Sequence, residues 1–222
     1  FTNSNLWDSS LENVTANNAK FNYIKGASYL NDSKFQNSQF IEANLRESTL
    51  DRSNFSNSDL RAADFYNASL KNTIFDNADL SYTDISSKLT NFSNANLINT
   101  SFIGANLDEA SWHNATLDNV NFSNAKLSGS SFYDATLNRV NFKNLKGYNK
   151  DENAGVWFEN AKLRNSNFDS ADIRNSGFIS SDLMMSNFDR SDINNAEFKN
   201  SNLGFASLRE TKGTNVNFEN SF

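Results

Sequence analysis

Large apolar residues recur along the chain at every fifth position. One series runs from Phe35 to Ile85, a second from Phe92 to Phe142 and a third from Phe158 to Leu208. A small residue usually stands two positions before each large one, and a polar residue stands between them. Self-similarity at a fixed period predicts a repeat architecture rather than a set of separate helices and strands.

The five-residue period fits neither an α-helix nor a flat strand. A helix turns by about 100° per residue, so large residues five apart would spread over all its faces. In a strand, an odd spacing would point every second large residue outward. A chain that bends by about 90° every five residues keeps all of them inside. Four such sides, each one repeat long, make a square coil.

The corners of this coil are predicted from the residue two positions after each large one. Asn and Gly dominate there, as at Asn57, Asn77 and Gly104. This is the third residue of a turn that begins at the large residue, where a type II turn needs a positive φ. Gly and Asn adopt positive φ most readily.

The motif behind this pattern is A-(D/N)-L-x-x, and it resembles that of the pentapeptide repeat family. It stands in Ala43-Asn44-Leu45, Ala78-Asp79-Leu80, Ala95-Asn96-Leu97, Ala105-Asn106-Leu107 and Ala171-Asp172-Ile173. The resemblance covers nearly the whole chain and implies an all-β fold, a right-handed quadrilateral parallel β-helix. We expect one rod over residues 1–222, with about eleven coils and a length of about 50 Å.

Aromatic and aliphatic residues alternate along the second and third series. With four sides per coil, this alternation places aromatic rings on two opposite sides and aliphatic side chains on the other two. Residues four repeats apart are expected to stack between coils, so Phe102, Phe122 and Phe142 should form one internal column.

Three irregularities interrupt the period. The first coils, residues 1–34, slip by one position before Leu30. The spacing of seven between Ile85 and Phe92 predicts a two-residue bulge within 86–90. The spacing of sixteen between Phe142 and Phe158 predicts six inserted residues within 146–155, a loop that is itself a candidate binding element.

Composition and charge exclude several classes of function. The chain has no Cys and one His, which argues against thiol chemistry, metal–cysteine sites and His-dependent catalysis, and we expect no cofactor. A net charge of −6 argues against direct binding to nucleic acids or anionic membranes. The given chain shows no signal peptide and no apolar run that could span a bilayer, so a soluble protein is expected.

Several polar residues are poor candidates for a site. His113 is expected to be a solvated side chain stacked over Tyr133. Acidic residues four repeats apart, namely Asp59 with Asp79, Asp64 with Asp84 and Asp172 with Asp192, could serve as acid and base or bind calcium. However, they occupy the ordinary polar position of the motif on a convex face.

The strongest surface signal in the sequence is apolar. Met184 and Met185 follow Leu183, and Phe205 lies in the position one coil above Met185. Equivalent outer positions mostly carry Asn, Ser or a charged residue. Two stacked large apolar residues outside the core predict a contact patch for a protein partner.

Three functions remain as hypotheses. The first is a non-enzymatic protein-binding or scaffold module, and the resemblance implies the partner-recognition part of bacterial effectors with a HECT-like ubiquitin ligase region. The second is a DNA mimic that binds DNA gyrase, although the 20 basic residues and the mixed charge depart from that pattern. The third is an ice- or surface-binding rod. We also expect a fragment of a longer protein, whose uncapped coils would associate end to end.

Overall fold

The computed structural model describes residues 1–83 and 88–222. Two strands, β1 (Asn5–Ser10) and β2 (Lys25–Tyr29), pair in parallel near the amino terminus. Three further strands, β3 (Asn96–Ile98), β4 (Thr116–Asp118) and β5 (Thr136–Asn138), form a parallel sheet in that order. Elsewhere, each side of a coil pairs with the next coil through a single parallel bridge.

Backbone pairing between successive coils builds the rod. Nearly all the paired residues directly precede a large inward residue, and the four sides of the coil have equivalent columns of them. One column runs through Asn5, Lys25, Asn44, Asp64, Asn91, Ser111, Ser131, Trp157, Gly177, Glu197 and Asn217. The predicted fold class, a right-handed quadrilateral parallel β-helix, is confirmed.

The corners of the coil form as the sequence predicts. The N–H of Ser38 donates to the carbonyl oxygen of Phe35 at 3.2 Å, which closes a turn around Asn37. Asn37 has a φ of 57°, and the equivalent residue of nearly every described repeat also has a positive φ. Asn fills more than half of these positions because it tolerates this conformation better than other non-glycine residues.

The core consists of stacked side chains that are fully buried. Phe122 lies 5.0 Å from Phe102 and 5.2 Å from Phe142, measured between ring centroids, with nearly parallel planes. Trp112 belongs to the opposite aromatic column and meets Phe122 edge to face at 5.4 Å. The predicted internal column and the alternation of aromatic and aliphatic sides are therefore both present. Each coil buries its large residues against its neighbours, which is how solenoids gain stability.

The first irregularity after residue 80 is larger than the sequence suggests. Asp59 pairs with Asp79, four repeats further on, whereas the partner of Asp64 is Asn91, seven positions beyond the regular spacing. The chain therefore inserts seven residues here, and the predicted two-residue bulge is wrong. The predicted stacking of Asp64 with Asp84 is also wrong, because Asn91 takes that place.

The physical reason for this correction lies in the core. Phe92 returns to an aromatic side and stacks on Phe65 at 4.8 Å. An interpretation with Ile85 in the core would instead place Phe92 on the next, aliphatic side. Ile85 and the first part of the predicted 86–90 bulge lie outside the described residues. Thr83 and Lys88, on either side of the undescribed segment, pair in antiparallel fashion.

The second interruption follows Lys146. Lys126 pairs with Lys146 at the regular spacing, but the partner of Ser131 is Trp157, six positions beyond it. The six additional residues belong to a short loop whose ends pair in antiparallel fashion through Asn149 and Ala154. We call residues 147–156 the inserted loop. Among the residues described, no helix could cross a lipid bilayer.

Candidate functional site

The apolar residues singled out from the sequence lie at one corner of two successive coils. The backbone N–H of Met185 donates to the carbonyl oxygen of Gly204 at 2.9 Å, which places Phe205 one coil beyond Met185. Phe205 is 86% exposed and Met185 is 53% exposed, whereas Met184 is half-buried. We call Met184, Met185 and Phe205 the corner patch.

The backbone at the corner patch is in an unfavourable conformation for these residues. Met185 and Phe205 both have a φ of 61°. For a bulky L-residue, this left-handed region costs about 1–2 kcal/mol. Among the described residues, Tyr23 is the one other large apolar or aromatic side chain with a positive φ. Because both patch side chains are largely exposed, core packing does not offset this cost.

Several surface carboxylates are neutralised by basic residues of the rod. Among the described residues, ion pairs that join neighbouring coils at 2.5–2.9 Å include Arg46–Asp64, Arg139–Asp118 and Arg164–Asp182. Asp169 is held from two sides, by Lys143 at 3.2 Å and by Arg190. Neighbouring basic residues therefore neutralise part of the negative charge of the rod.

In each of two stacked aspartate pairs, one arginine bridges the two carboxylates. Arg61 binds Asp59 at 2.7 Å and approaches Asp79 at 3.9 Å. One side of the rod carries this arrangement twice.

The second copy of the arrangement lies close to the inserted loop. Arg174 binds Asp172 at 2.6 Å, approaches Asp192 at 3.8 Å and lies 4.3 Å above the ring of Tyr148. Its hydrogen bonds to Asp172, together with the charges of both carboxylates, raise the pKa of the Arg174 guanidinium. Each guanidinium thus offsets the repulsion between two carboxylates stacked one coil apart.

A cleft of about 290 Å³ lies on the same side of the rod, beneath the inserted loop. Its walls are polar, and its lining residues are Asp108, Lys126, Ser128, Lys146, Tyr148, Asn149 and Lys150. Burial raises the pKa of the Asp108 carboxyl, against the opposing effect of a 2.9 Å hydrogen bond from the Ser128 N–H. Burial also raises the pKa of the neighbouring Glu109, and Glu152 of the loop adds to that effect.

Two aromatic contacts lie on an adjacent side of the rod. His113 is exposed, as expected. Its Nε2 lies 3.0 Å from the Ser131 hydroxyl, and its ring meets Tyr133 edge-on at 6.0 Å. Trp157 is 43% exposed and covers Gly177, where a Cβ would lie 2.5 Å from the indole ring.

Sequence reasoning missed Trp157 and the lysines of the cleft. The regular spacing could have found the lysines, because it places Lys126 next to Lys146. It also places Trp157 next to Gly177 on the following coil. Two of the predicted aspartate pairs, Asp59 with Asp79 and Asp172 with Asp192, each form ion pairs with one arginine. Within residues 1–83 and 88–222, no group of three or more His, Cys, Asp or Glu side chains could hold a metal ion.

These features are those of a quadrilateral β-helix protein with a polar, ion-paired surface. A sequence profile described as a pentapeptide repeat region matches residues 87–147. A second profile, described as pentapeptide repeats in eight copies, matches residues 28–65 and 58–87. Together they span more than half of the chain, which belongs to the pentapeptide repeat family. No curated protein matches the sequence significantly.

Solved structures share the fold. One is HetL, a pentapeptide repeat protein involved in heterocyst differentiation regulation from the cyanobacterium Nostoc sp. strain PCC 7120. It is 22% identical with a TM-score of 0.51, and the match covers 100% of this chain and 90% of HetL. Full-length QnrB1, a plasmid-mediated fluoroquinolone resistance protein, is 21% identical with a TM-score of 0.37, over 75% of this chain and 89% of QnrB1. The likeness to HetL supports the β-helix fold.

Proposed function

We propose that this pentapeptide repeat rod is a non-enzymatic protein-binding module that contacts its partner through the corner patch. The observation that carries the proposal is the combination of exposure and backbone conformation at Met185 and Phe205. Asn fits these positions better for stability, yet the chain places two large apolar side chains there. A gain from contact with another molecule would account for this choice, because strained backbone often persists at functional sites.

The chemistry of the patch favours a protein partner. Methionine is flexible and adapts to irregular apolar surfaces, and Phe is an effective anchor at protein interfaces. The partner recognised in this way would present an apolar side chain or a small apolar pocket to the corner. By the resemblance noted above, the module could serve as the recognition part of a larger effector protein.

The DNA-mimic alternative has less support from the surface. Such a mimic needs a row of free negative charges, whereas Asp64, Asp118 and Asp182 are paired with arginines. The ice-binding alternative rests on the ladder Asn96, Thr116 and Thr136, which the same column follows with Lys162. Both alternatives therefore have less support than the protein-binding proposal.

The test uses asparagine substitutions, which remove the apolar groups without straining the corner. We expect the double variant Met185→Asn/Phe205→Asn to be at least as stable as the wild type, by up to about 1 kcal/mol per position. Affinity purification from a cell lysate with quantitative mass spectrometry then compares wild type, the double variant and Tyr23→Asn. Tyr23 is the matched control, because it is another bulky residue with positive φ at a distant corner.

The supporting result is a protein that wild type and Tyr23→Asn retain and that the double variant loses. In direct binding measurements, that purified protein should bind wild type and Tyr23→Asn with similar affinity and the double variant more weakly. If every bait retains the same proteins, the corner patch is not a binding site. Recovery of gyrase subunits by all three baits would favour the DNA-mimic alternative instead.

A further inference from the structure

We propose that the cleft beneath the inserted loop binds an oxyanion, a phosphate or carboxylate group, between the ammonium groups of Lys126 and Lys146. This site is separate from the corner patch, and the proposal does not depend on the protein-binding function. It rests on a comparison of the pairs of like charges that stack on neighbouring coils along one side of the rod.

Three pairs of like-charged residues face each other directly in the described backbone pairings. They are Asp59 with Asp79, Lys126 with Lys146, and Asp172 with Asp192, and all three lie in the same column of the rod. Neighbouring strands are about 4.8 Å apart, so directly opposed like charges are destabilising. The chain resolves this repulsion at both aspartate pairs with a bridging arginine.

The lysine pair has no such bridge from any described residue. The residue that corresponds in position to Arg61 and Arg174 is Ser128 after Lys126 and Tyr148 after Lys146. In the part of the chain that the structure describes, no carboxylate forms an ion pair within 4.0 Å of Lys126, Lys146 or Lys150.

Two carboxylates in the neighbourhood of the lysine pair have other partners. Asp172 pairs with Lys146 through the backbone, but its two oxygens accept hydrogen bonds from Arg174 at 2.8 and 2.6 Å. Asp108 lines the cleft, accepts the Ser128 N–H at 2.9 Å and interacts electrostatically with Lys126 without forming an ion pair within 4.0 Å, so it offsets only part of the positive charge of the cleft. An external anion would therefore supply the remaining counter-charge, as the arginines do for the aspartate pairs.

The lining of the cleft defines the chemistry of the ligand. The ammonium groups of two lysines that line one cleft on neighbouring coils can each donate to a different oxygen of one phosphate or carboxylate group, and Lys150 provides a third donor from the loop. Asp108 on the wall repels additional negative charge and accepts hydrogen bonds. The best ligand thus carries one oxyanion group with a hydroxyl or amine donor directed toward Asp108.

The experiment titrates the purified chain with inorganic phosphate by isothermal titration calorimetry, with sodium chloride holding the ionic strength constant. The variants are Lys126→Gln and Lys146→Gln. The matched control is Lys162→Gln, which removes an exposed lysine from the same position of another side, where the neighbour on the next coil is Asp182. A second arm replaces phosphate with a glutamate-rich peptide, which separates a free anion from an acidic segment of a partner.

We expect both cleft variants to bind phosphate about tenfold more weakly than wild type and Lys162→Gln, the equivalent of about 1.4 kcal/mol. In chloride alone, Lys126→Gln should have a melting temperature equal to or above that of wild type, because the repulsion is relieved. Tighter binding of the peptide than of phosphate, with the same lysine dependence, would assign the site to an acidic segment. Equal affinity in all four proteins, or no binding of either probe, would overturn the proposal.

Discussion

The interior and the exterior of the rod respond in opposite ways to the stacking of identical side chains. Inside, Phe102, Phe122 and Phe142 repeat once per coil, and their rings stack at 5.0 and 5.2 Å. Outside, stacked aspartates repel each other and require Arg61 or Arg174 between them. Repetition therefore stabilises apolar columns and destabilises charged ones, so a charged repeat without a counter-ion, as at Lys126 and Lys146, needs a separate explanation.

The sharpest way to break this comparison is to place a charge inside the apolar column. Phe122→Asp buries a carboxylate between two rings, and we expect it to destabilise the rod by more than about 4 kcal/mol and abolish cooperative unfolding. Phe205→Asp is the control, because that side chain is 86% exposed. Its effect should be below about 1 kcal/mol. Circular dichroism during thermal and urea unfolding measures both.

Equal loss of structure in the two variants would contradict the assignment of Phe205 to the exterior. It would show instead that the last described coils depend on this ring for stability. The corner patch would then have a structural role.

The interior was predictable from the sequence because one physical requirement acts on every repeat. Each side must supply a large inward residue and a corner that accepts positive φ, so Phe, Leu and Asn recur in step. The alternation of aromatic and aliphatic sides follows from four sides per coil. The sequence underestimates the insertion after residue 80 because Ile85 fits the five-residue spacing, whereas the stacking of Phe92 on Phe65 determines which side of the coil Phe92 occupies.

The exterior was less predictable because its interactions join positions at which the motif does not specify a residue type. The apolar corner at Met185 and Phe205 stood out by composition alone. The bridging arginines and the bare lysine pair become visible when residues one coil apart are compared by charge. The cleft could not be predicted from the spacing, because residues of the inserted loop line it together with Asp108, Lys126 and Lys146.

Removing a bridging arginine should turn an aspartate pair into the electrostatic equivalent of the lysine pair. We expect Arg174→Gln to destabilise the rod by about 1–2 kcal/mol, since it loses two ion pairs and the contact with the Tyr148 ring. Arg61→Gln, at the copy distant from the inserted loop, should cost about 1 kcal/mol or less. Differential scanning calorimetry at low and high salt measures both effects, which should shrink as salt screens the carboxylates.

If Arg174→Gln melts at the wild-type temperature in low salt, stacked like charges are harmless on this surface. The unbridged lysine pair would then carry no information about a ligand. This variant therefore also tests the premise of the oxyanion proposal without any added anion.

The smallest expected effect concerns Asp108, the one carboxylate among the described residues that line the cleft. Because burial raises the pKa of its carboxyl above the ordinary value of 3.8, the folded state holds this proton more tightly than the unfolded state. The stability that accompanies the protonated form is complete below the ordinary pKa and is lost as the pH rises through the raised pKa. Asp108→Asn keeps an acceptor for the Ser128 N–H and should therefore raise the melting temperature at neutral pH, with an advantage that disappears in acid.

Asp189→Asn provides a control of opposite sign. Hydrogen bonds from the Ser207 hydroxyl and the Arg209 N–H lower the pKa of Asp189, so its ionised form stabilises the fold above the ordinary pKa of 3.8. Its replacement should lower the melting temperature at neutral pH and matter less as the pH falls. A profile for Asp108→Asn that parallels the Asp189→Asn profile would contradict this sign and show that the ionised form of Asp108 stabilises the fold, whereas a flat profile would show that Asp108 is an ordinary solvated carboxylate. With Asp108 neutralised, the cleft would retain its three lysines, and phosphate should bind more tightly than in the wild type.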